Sequence, residues 1–238
     1  MKKCKFFVLF LCVSLRSEKW DYRVPNEYGT HQPVLYEIVN RTKGPVVEFG
    51  CGNGSTDLLH EICKKQGRLL ISIDDDLSWL NKYRQKYLGD GCSPDNSGWH
   101  LFFYVPGKKG NSHDHWLQFF KECSLLNNLN FELCFVDQSP WLARYETIKK
   151  FRNKVKYIIL HDCDFFPRTG ICGKVIKHSD SAAYVPGVFD FSDIFAYFKV
   201  YFPPAPWPLF SGPPTLLGSN FISDLPDVDY IKYSQSNL

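Results

Sequence analysis

The chain has 238 residues, 44% of them hydrophobic and 22% charged, an ordinary globular composition with enough length for one sizeable α/β domain. Its formal net charge is +3, but residues 1–19 carry five Lys or Arg against one Glu, so the remainder sits near −1. That balance excludes a global basic field of the kind that draws nucleic acid. The nine cysteines are an odd number with no C-x-x-C pair and no zinc spacing. Cys51 lies in a glycine turn, and Cys134 and Cys163 in or beside apolar strands, which reads as reduced thiols filling a core rather than a disulfide framework.

At the N-terminus Lys2, Lys3 and Lys5 precede the apolar run FFVLFLCVSL and then the polar RSEKWDYR. This is the layout of a secretory signal or a tether, and it is too short for an ordinary membrane span. The alternative is a strand or helix packed on the domain. The protein is expected in the cytoplasm, or secreted or membrane-tethered if residues 1–19 act as a signal. Membrane contact is expected only if that segment is retained. The sequon Asn53-Gly54-Ser55 falls in the glycine turn, where a glycan would block any ligand, and argues against a glycosylating route.

VLYEIVNRT, residues 34–42, has helical apolar spacing, and Lys43-Gly44-Pro45 ends it. VVEF, residues 46–49, is a buried strand that stops at Gly50, Gly52 and Gly54 and hands over to a helix striped by Leu58, Leu59 and Ile62. Glycines there let the backbone approach a ligand, and the helix start offers unpaired N–H groups. The spacing is not the dinucleotide fingerprint G-x-G-x-x-G, since Ser55 stands where the third glycine is required.

LLISID, residues 69–74, is a second strand closing on Asp74, Asp75 and Asp76. A carboxylate at that tip can accept hydrogen bonds from ribose hydroxyls. Asp74, nearest the strand, is the ribose candidate, and Asp76 is better placed to cap the helix LSWLNKYRQKY. HLFFYV, residues 100–105, is a third strand with the loop Pro106-Gly107-Lys108-Lys109-Gly110 at its tip and no acidic residue there. Asn111, His113, Asp114 and His115 have no defined metal geometry and read as loop residues before the helix WLQFFKEC.

FELCFVD, residues 131–137, is a fourth strand ending on Asp137, followed by a turn and the helix ARYETIKKFRNK. KYIILHD, residues 156–162, is a fifth, with His161, Asp162 and Asp164 at its end. IFAYFKVYF (194–202) and TLLGSNFI (215–222) are two further strands, with the rigid loop PPAPWPLFSGPP between them. The domain is expected over 20–225, with 226–238 as a tail. Ligands of open parallel sheets sit beyond the carboxyl ends of the strands, where the first, second, fourth and fifth strands all deliver polar groups.

The succession HQPVL, GPVVEFGCGNGST, an acidic second strand tip, VD, HDCD and TLLGSNF, spanning roughly residues 28–222, resembles the class I S-adenosylmethionine-dependent methyltransferases. The resemblance implies a Rossmann-like α/β fold, with a mostly parallel seven-stranded sheet, helices on both faces and a C-terminal antiparallel strand pair. It implies S-adenosylmethionine bound by Glu48, Gly50, Cys51, Gly52, Asn53, Gly54, Asp74 and Asp75. It also implies methyl transfer to an acceptor, with O-methylation of a small molecule or glycan favoured and no nucleic acid indicated. A base is needed only for an acceptor that must lose a proton, and Asp137, His161 and Asp162 are the groups for that role. In a variant, Asp137, Asp162 and Asp164 would hold a divalent cation. That resembles the metal-dependent O-methyltransferases, which carry Asp-Asn after the fifth strand where this chain has His-Asp-Cys-Asp, so no metal is expected. The competing expectation is a binding protein that keeps the fold without turnover, exported or tethered through its first residues.

Overall fold

The computed structural model describes residues 29–107, 113–163, 191–201, 203 and 213–230. The hydrophobic N-terminal segment, Lys108, Lys109, Asn111, Asp164, the stretch 165–190 and nearly all of the proline-rich loop lie outside the described residues. Among the described residues are six α-helices, α1 (Gln32–Arg41), α2 (Thr56–Gln66), α3 (Leu77–Lys86), α4 (Asp114–Glu122), α5 (Ser124–Asn128) and α6 (Trp141–Phe151), and the strands β1 (Val46–Phe49), β2 (Leu70–Asp74), β3 (His100–Tyr104), β4 (Leu133–Val136), β5 (Tyr157–Leu160), β6 (Tyr197–Tyr201) and β7 (Thr215–Ser219). The strands form one sheet in the order β3-β2-β1-β4-β5-β7-β6. The first five are parallel, and β7 runs antiparallel to both β5 and β6. This is the class I methyltransferase arrangement that the sequence implied.

The central strands are buried on both faces, which is why they read as continuous apolar runs. Val47, Phe49, Ile71, Ile73, Cys134 and Val136 face Trp116 and Phe120 of α4 and Ile148 and Phe151 of α6. Their alternates Val46, Leu70, Leu133 and Phe135 face the Val34, Leu35 and Ile38 stripe of α1 and the Leu58, Leu59 and Ile62 stripe of α2. By the same alternation Glu48 points to the α1–α2 side, fully buried.

Several boundaries differ from the sequence reading. β6 starts at Tyr197 rather than 194, because Phe191–Asp193 forms a short 3-10 turn and Phe195 folds onto the sheet. Gly218 admits that ring, since a Cβ there would stand 2.6 Å from it. The helix α5 was not foreseen, its five residues being too few to show periodicity. The expected tail is packed as far as Tyr230, whose hydroxyl donates to the Thr30 carbonyl at 3.1 Å, while residues 231–238 lie outside the described residues. All six described cysteines are free, and five are buried. No helix among the described residues is long and apolar enough to cross a membrane.

Candidate functional site

The glycine turn leaves β1 at the point where strand order reverses, between β2 and β4. Gly50 has φ of +90°, and a Cβ there would lie 2.6 Å from the backbone of Asp137 and Gln138, so only glycine fits this crossing. At Gly54 a Cβ would meet the His31 ring at 2.9 Å, which brings the start of α1 against the turn. Gly52 is different. A Cβ there would find only Ser55 Oγ, at 3.7 Å, so the space beside it is open.

The backbone of the turn is tied down. Gly52 N donates to Thr56 Oγ1 at 2.9 Å, and that hydroxyl donates to the Glu48 carboxylate at 3.0–3.1 Å. Ser72 Oγ donates to the same carboxylate at 2.7 Å. Glu48 therefore sits behind the turn and orients it through Thr56, and burial raises its pKa to about 8. Asn53 Oδ1 accepts from Tyr83 Oη at 2.6 Å and Lys82 Nζ at 3.1 Å. The Trp79 indole donates to the Cys51 carbonyl.

Asp74 closes the turn from the β2 side. Its Oδ2 accepts from Cys51 N and its Oδ1 from Asp76 N, both at 2.7 Å. Burial raises its pKa to about 6, although both amides stabilise the charge. Each oxygen keeps a second lone pair for a ligand. Asp75 lies 3.0 Å from His115 Nε2, and Asp76 caps α3 by accepting from Ser78 N and Trp79 N. Gly50, Cys51, the three aspartates, Trp79, Gly107 and residues 137–140 line a cleft of about 440 Å³ beyond the strand ends.

On the β4–β5 side the structure brings Asp137, His161 and Asp162 together, around a residue the sequence reading missed. Arg144, in the first turn of α6, reaches back toward the strand ends. Its Nε donates to the Gln138 carbonyl at 2.7 Å and its Nη1 to the His161 carbonyl at 2.9 Å. The guanidinium also lies 2.9 Å from Asp137 Oδ1 and 3.2 Å from Asp162 Oδ2. Asp162 adopts φ of +52°, a left-handed conformation that Asp tolerates. A helical cation one turn past a strand-end carboxylate is a signal that could have been read, because helical side chains tilt toward the N-terminus.

His161 Nδ1 lies 3.2 Å from Asp137 Oδ1, and Nε2 lies 3.3 Å from Asp162 Oδ1. Nε2 is also 3.4 Å from Thr30 Oγ1, whose own proton goes to the Pro213 carbonyl. Both ring nitrogens thus face acceptors. The two carboxylates raise the histidine pKa despite burial, which favours the imidazolium. His161 and Arg144 in turn hold Asp137 below the usual carboxylate range, against the opposing effect of burial. Arg144, His161 and the two carboxylates thus form a charge-paired quartet.

Donor atoms of Asp137, His161 and Asp162 lie within 4.8 Å of one another, a spacing that could suit a metal ion. The cation between the two carboxylates, however, is the Arg144 guanidinium, so these residues do not fit a divalent cation. His113 and His115 form no metal group with neighbours among the described residues. His31, which the sequence reading passed over, is buried against His161 with ring centroids 4.3 Å apart, and neither of its nitrogens has a hydrogen-bond partner. Burial first, and then the His161 charge, push its pKa well down.

No protein-family model and no curated relative matches the chain. Among solved structures it is similar to the O-methyltransferase TomG from Streptomyces achromogenes, which takes part in tomaymycin synthesis and was solved in complex with S-adenosylmethionine. That likeness has 15% identity over 79% of each chain and a TM-score of 0.53. Weaker likenesses are to an rRNA methylase from Streptococcus thermophilus (12% identity, 76% of this chain and 90% of that one, TM-score 0.43) and an RNA methyltransferase from Salinibacter ruber solved with S-adenosylhomocysteine (11%, 83% and 97%, TM-score 0.37). The TomG likeness is one of fold, and with the strand order it gives this chain the fold of the class I methyltransferases.

Proposed function

We propose that the protein is an S-adenosylmethionine-dependent methyltransferase that binds its cofactor in the cleft between the glycine turn and Asp74. One observation carries the reading. The turn is held open at Gly52 and fixed elsewhere by Gly50, Thr56 and the Asp74–Cys51 bond, a cradle at the carboxyl edge of the sheet with a cleft beyond it. The residues fit the cofactor. Gly52 leaves room for its methionine part, Asp74 and Asp75 offer acceptors to ribose hydroxyls, and Trp79 supplies an aromatic wall.

The cofactor, when bound, supplies an electrophilic methyl group. The protein's part is alignment and exclusion of water, with a base where the acceptor must lose a proton. The aspartates lining the cleft suit a cation such as a sulfonium. They disfavour a phosphate-rich acceptor, which supports a small-molecule or glycan hydroxyl over a nucleic acid.

The quartet favours a second reading. Asp137 is a weak base and the two carboxylates favour the charged form of His161, so this cluster suits structure or orientation better than proton abstraction. A binding protein that retains the fold without turnover would use the same cleft. Calorimetry with S-adenosylmethionine and S-adenosylhomocysteine, with Gly52→Val and Asp74→Asn as controls, tests the cofactor site. Binding by the parent and loss in both variants supports it, and no binding by a well-folded parent refutes it. Binding without turnover on a panel of hydroxyl acceptors selects the second reading.

A further inference from the structure

On the α2 side of the sheet a line of buried polar groups leads away from the glycine turn. Ser72 Oγ lies 2.7 Å from Glu48 Oε2 and 3.0 Å from His100 Nε2. His100 Nδ1 lies 2.8 Å from His60 Nδ1. His60 Nε2 has no hydrogen-bond partner and stands 3.6 Å from Asp90 Oδ2, a half-exposed carboxylate that also pairs with Lys64 at 2.7 Å. Glu48, Ser72 and His100 are fully buried and His60 nearly so, so this line connects Glu48 to the surface.

Counting protons along the line gives two complete patterns. With Glu48 ionised, Ser72 donates to Glu48, His100 Nε2–H donates to Ser72, and His60 Nδ1–H donates to His100 Nδ1. His60 Nε2 is then a bare lone pair facing Asp90. With Glu48 protonated every bond reverses. Glu48 donates to Ser72, Ser72 to His100 Nε2, and His100 Nδ1–H to His60 Nδ1, leaving His60 Nε2–H toward Asp90. One proton added at His60 Nε2 converts the first pattern into the second. Each group passes on one proton, neither histidine changes its net charge, and the new proton rests on Glu48.

We propose that Asp90, His60, His100 and Ser72 form a proton path to Glu48, so that the charge behind the glycine turn follows the pH outside. The groups facing the line bear on it from every packed element. Asp74 and Ser55 adjoin Glu48, Lys64 and Lys86 act on His60, and the Tyr87 ring stacks on His60 at 3.6 Å. Burial and the nearby lysines keep His60 low, near pKa 4, while Glu48 is held near 8. Between these values the extra proton belongs on Glu48, with both histidines neutral. Through Thr56, the charge on Glu48 would bear on the turn that the proposed cofactor uses, and that consequence rests on the cofactor reading above.

Nitrogen-15 NMR of histidine-labelled protein, free of cofactor and titrated from pH 6 to 10, tests the path. Below the transition His60 is expected as the Nε2–H tautomer and His100 as the Nδ1–H tautomer. Above it both are expected to switch together, with a common midpoint near pH 8. Ser72→Ala, a small change, is expected to abolish the switch, as is Glu48→Gln. Unchanged tautomers in the parent, or a switch that survives Ser72→Ala, would overturn the path. S-adenosylmethionine is expected to bind several-fold more tightly at pH 9 than at pH 7 in the parent. A flat affinity profile overturns the coupling to the turn. Absence of binding at any pH overturns the cofactor reading, while the tautomer data still judge the path.

Discussion

Arg144 Nη2 lies 2.9 Å from Asp137 Oδ1, joining the first turn of α6 to the tip of β4 beside the proposed cofactor cleft. The same guanidinium holds Asp162 and three backbone carbonyls, so one side chain fixes the ends of two strands. The site's carboxylates are therefore arranged around a resident cation.

Removing that cation leaves two carboxylates near each other with only His161 between them. Arg144→Met is expected to lower unfolding free energy by about 3 kcal/mol, in the range for breaking a mostly buried pair by deleting one partner. Urea unfolding of parent and variant measures it. A loss under about 1 kcal/mol would mean that solvent already screens the pair.

Because Arg144 occupies the place a divalent ion would take, chelation is expected to change nothing. Dialysis against EDTA, followed by thermal unfolding and cofactor titration, should reproduce the untreated values. A drop restored by Mg²⁺ would show that the guanidinium yields its place to a metal.

The glycines of the turn separate fold from binding. Gly50→Ala combines a positive φ with a Cβ 2.6 Å from the Asp137 backbone, and is expected to destabilise the fold by about 2 kcal/mol or more. Gly52→Ala meets no neighbour closer than 3.7 Å and is expected to unfold like the parent while binding cofactor more weakly. Paired thermal melts and calorimetry read both. Equal melting of the Gly50 variant and the parent would refute the crossing constraint.

The strands and the glycine turn were legible in the sequence because buried parallel strands write continuous apolar runs, and Gly50, Gly52 and Gly54 punctuate one of them. Asp137 and His161 could be placed at one edge from strand ends alone. What could not be read was direction. Glu48 occupies the expected motif position, but strand alternation turns it behind the turn to meet Ser72 and Thr56. Arg144 was readable only as a helical cation beyond a strand-end carboxylate, without its partners, and His31 stands just before α1, whose placement on the sheet is set by packing that no local pattern reveals.

Glu48 also makes a prediction about stability and pH. Burial raises its carboxyl from an ordinary 4.5 to about 8 in the folded protein. Between these values the folded state holds a proton that the unfolded state has released, so stability falls as pH rises through that window and levels off above it. His31, His60 and His100 are shifted down and act in the opposite sense, adding stability as pH rises toward their ordinary value of 6.5. Above pH 6.5 their contribution is complete, which leaves Glu48, with a contribution of the same sign from His161, to set the slope. The parent's unfolding free energy is therefore expected to decline from pH 6.5 to 8.5. Glu48→Gln, which keeps the shape and cannot titrate, is expected to show a much shallower decline. Parallel slopes for the two proteins would mean that Glu48 is ionised throughout this range, and that its hydrogen bonds to Thr56 and Ser72 outweigh its burial.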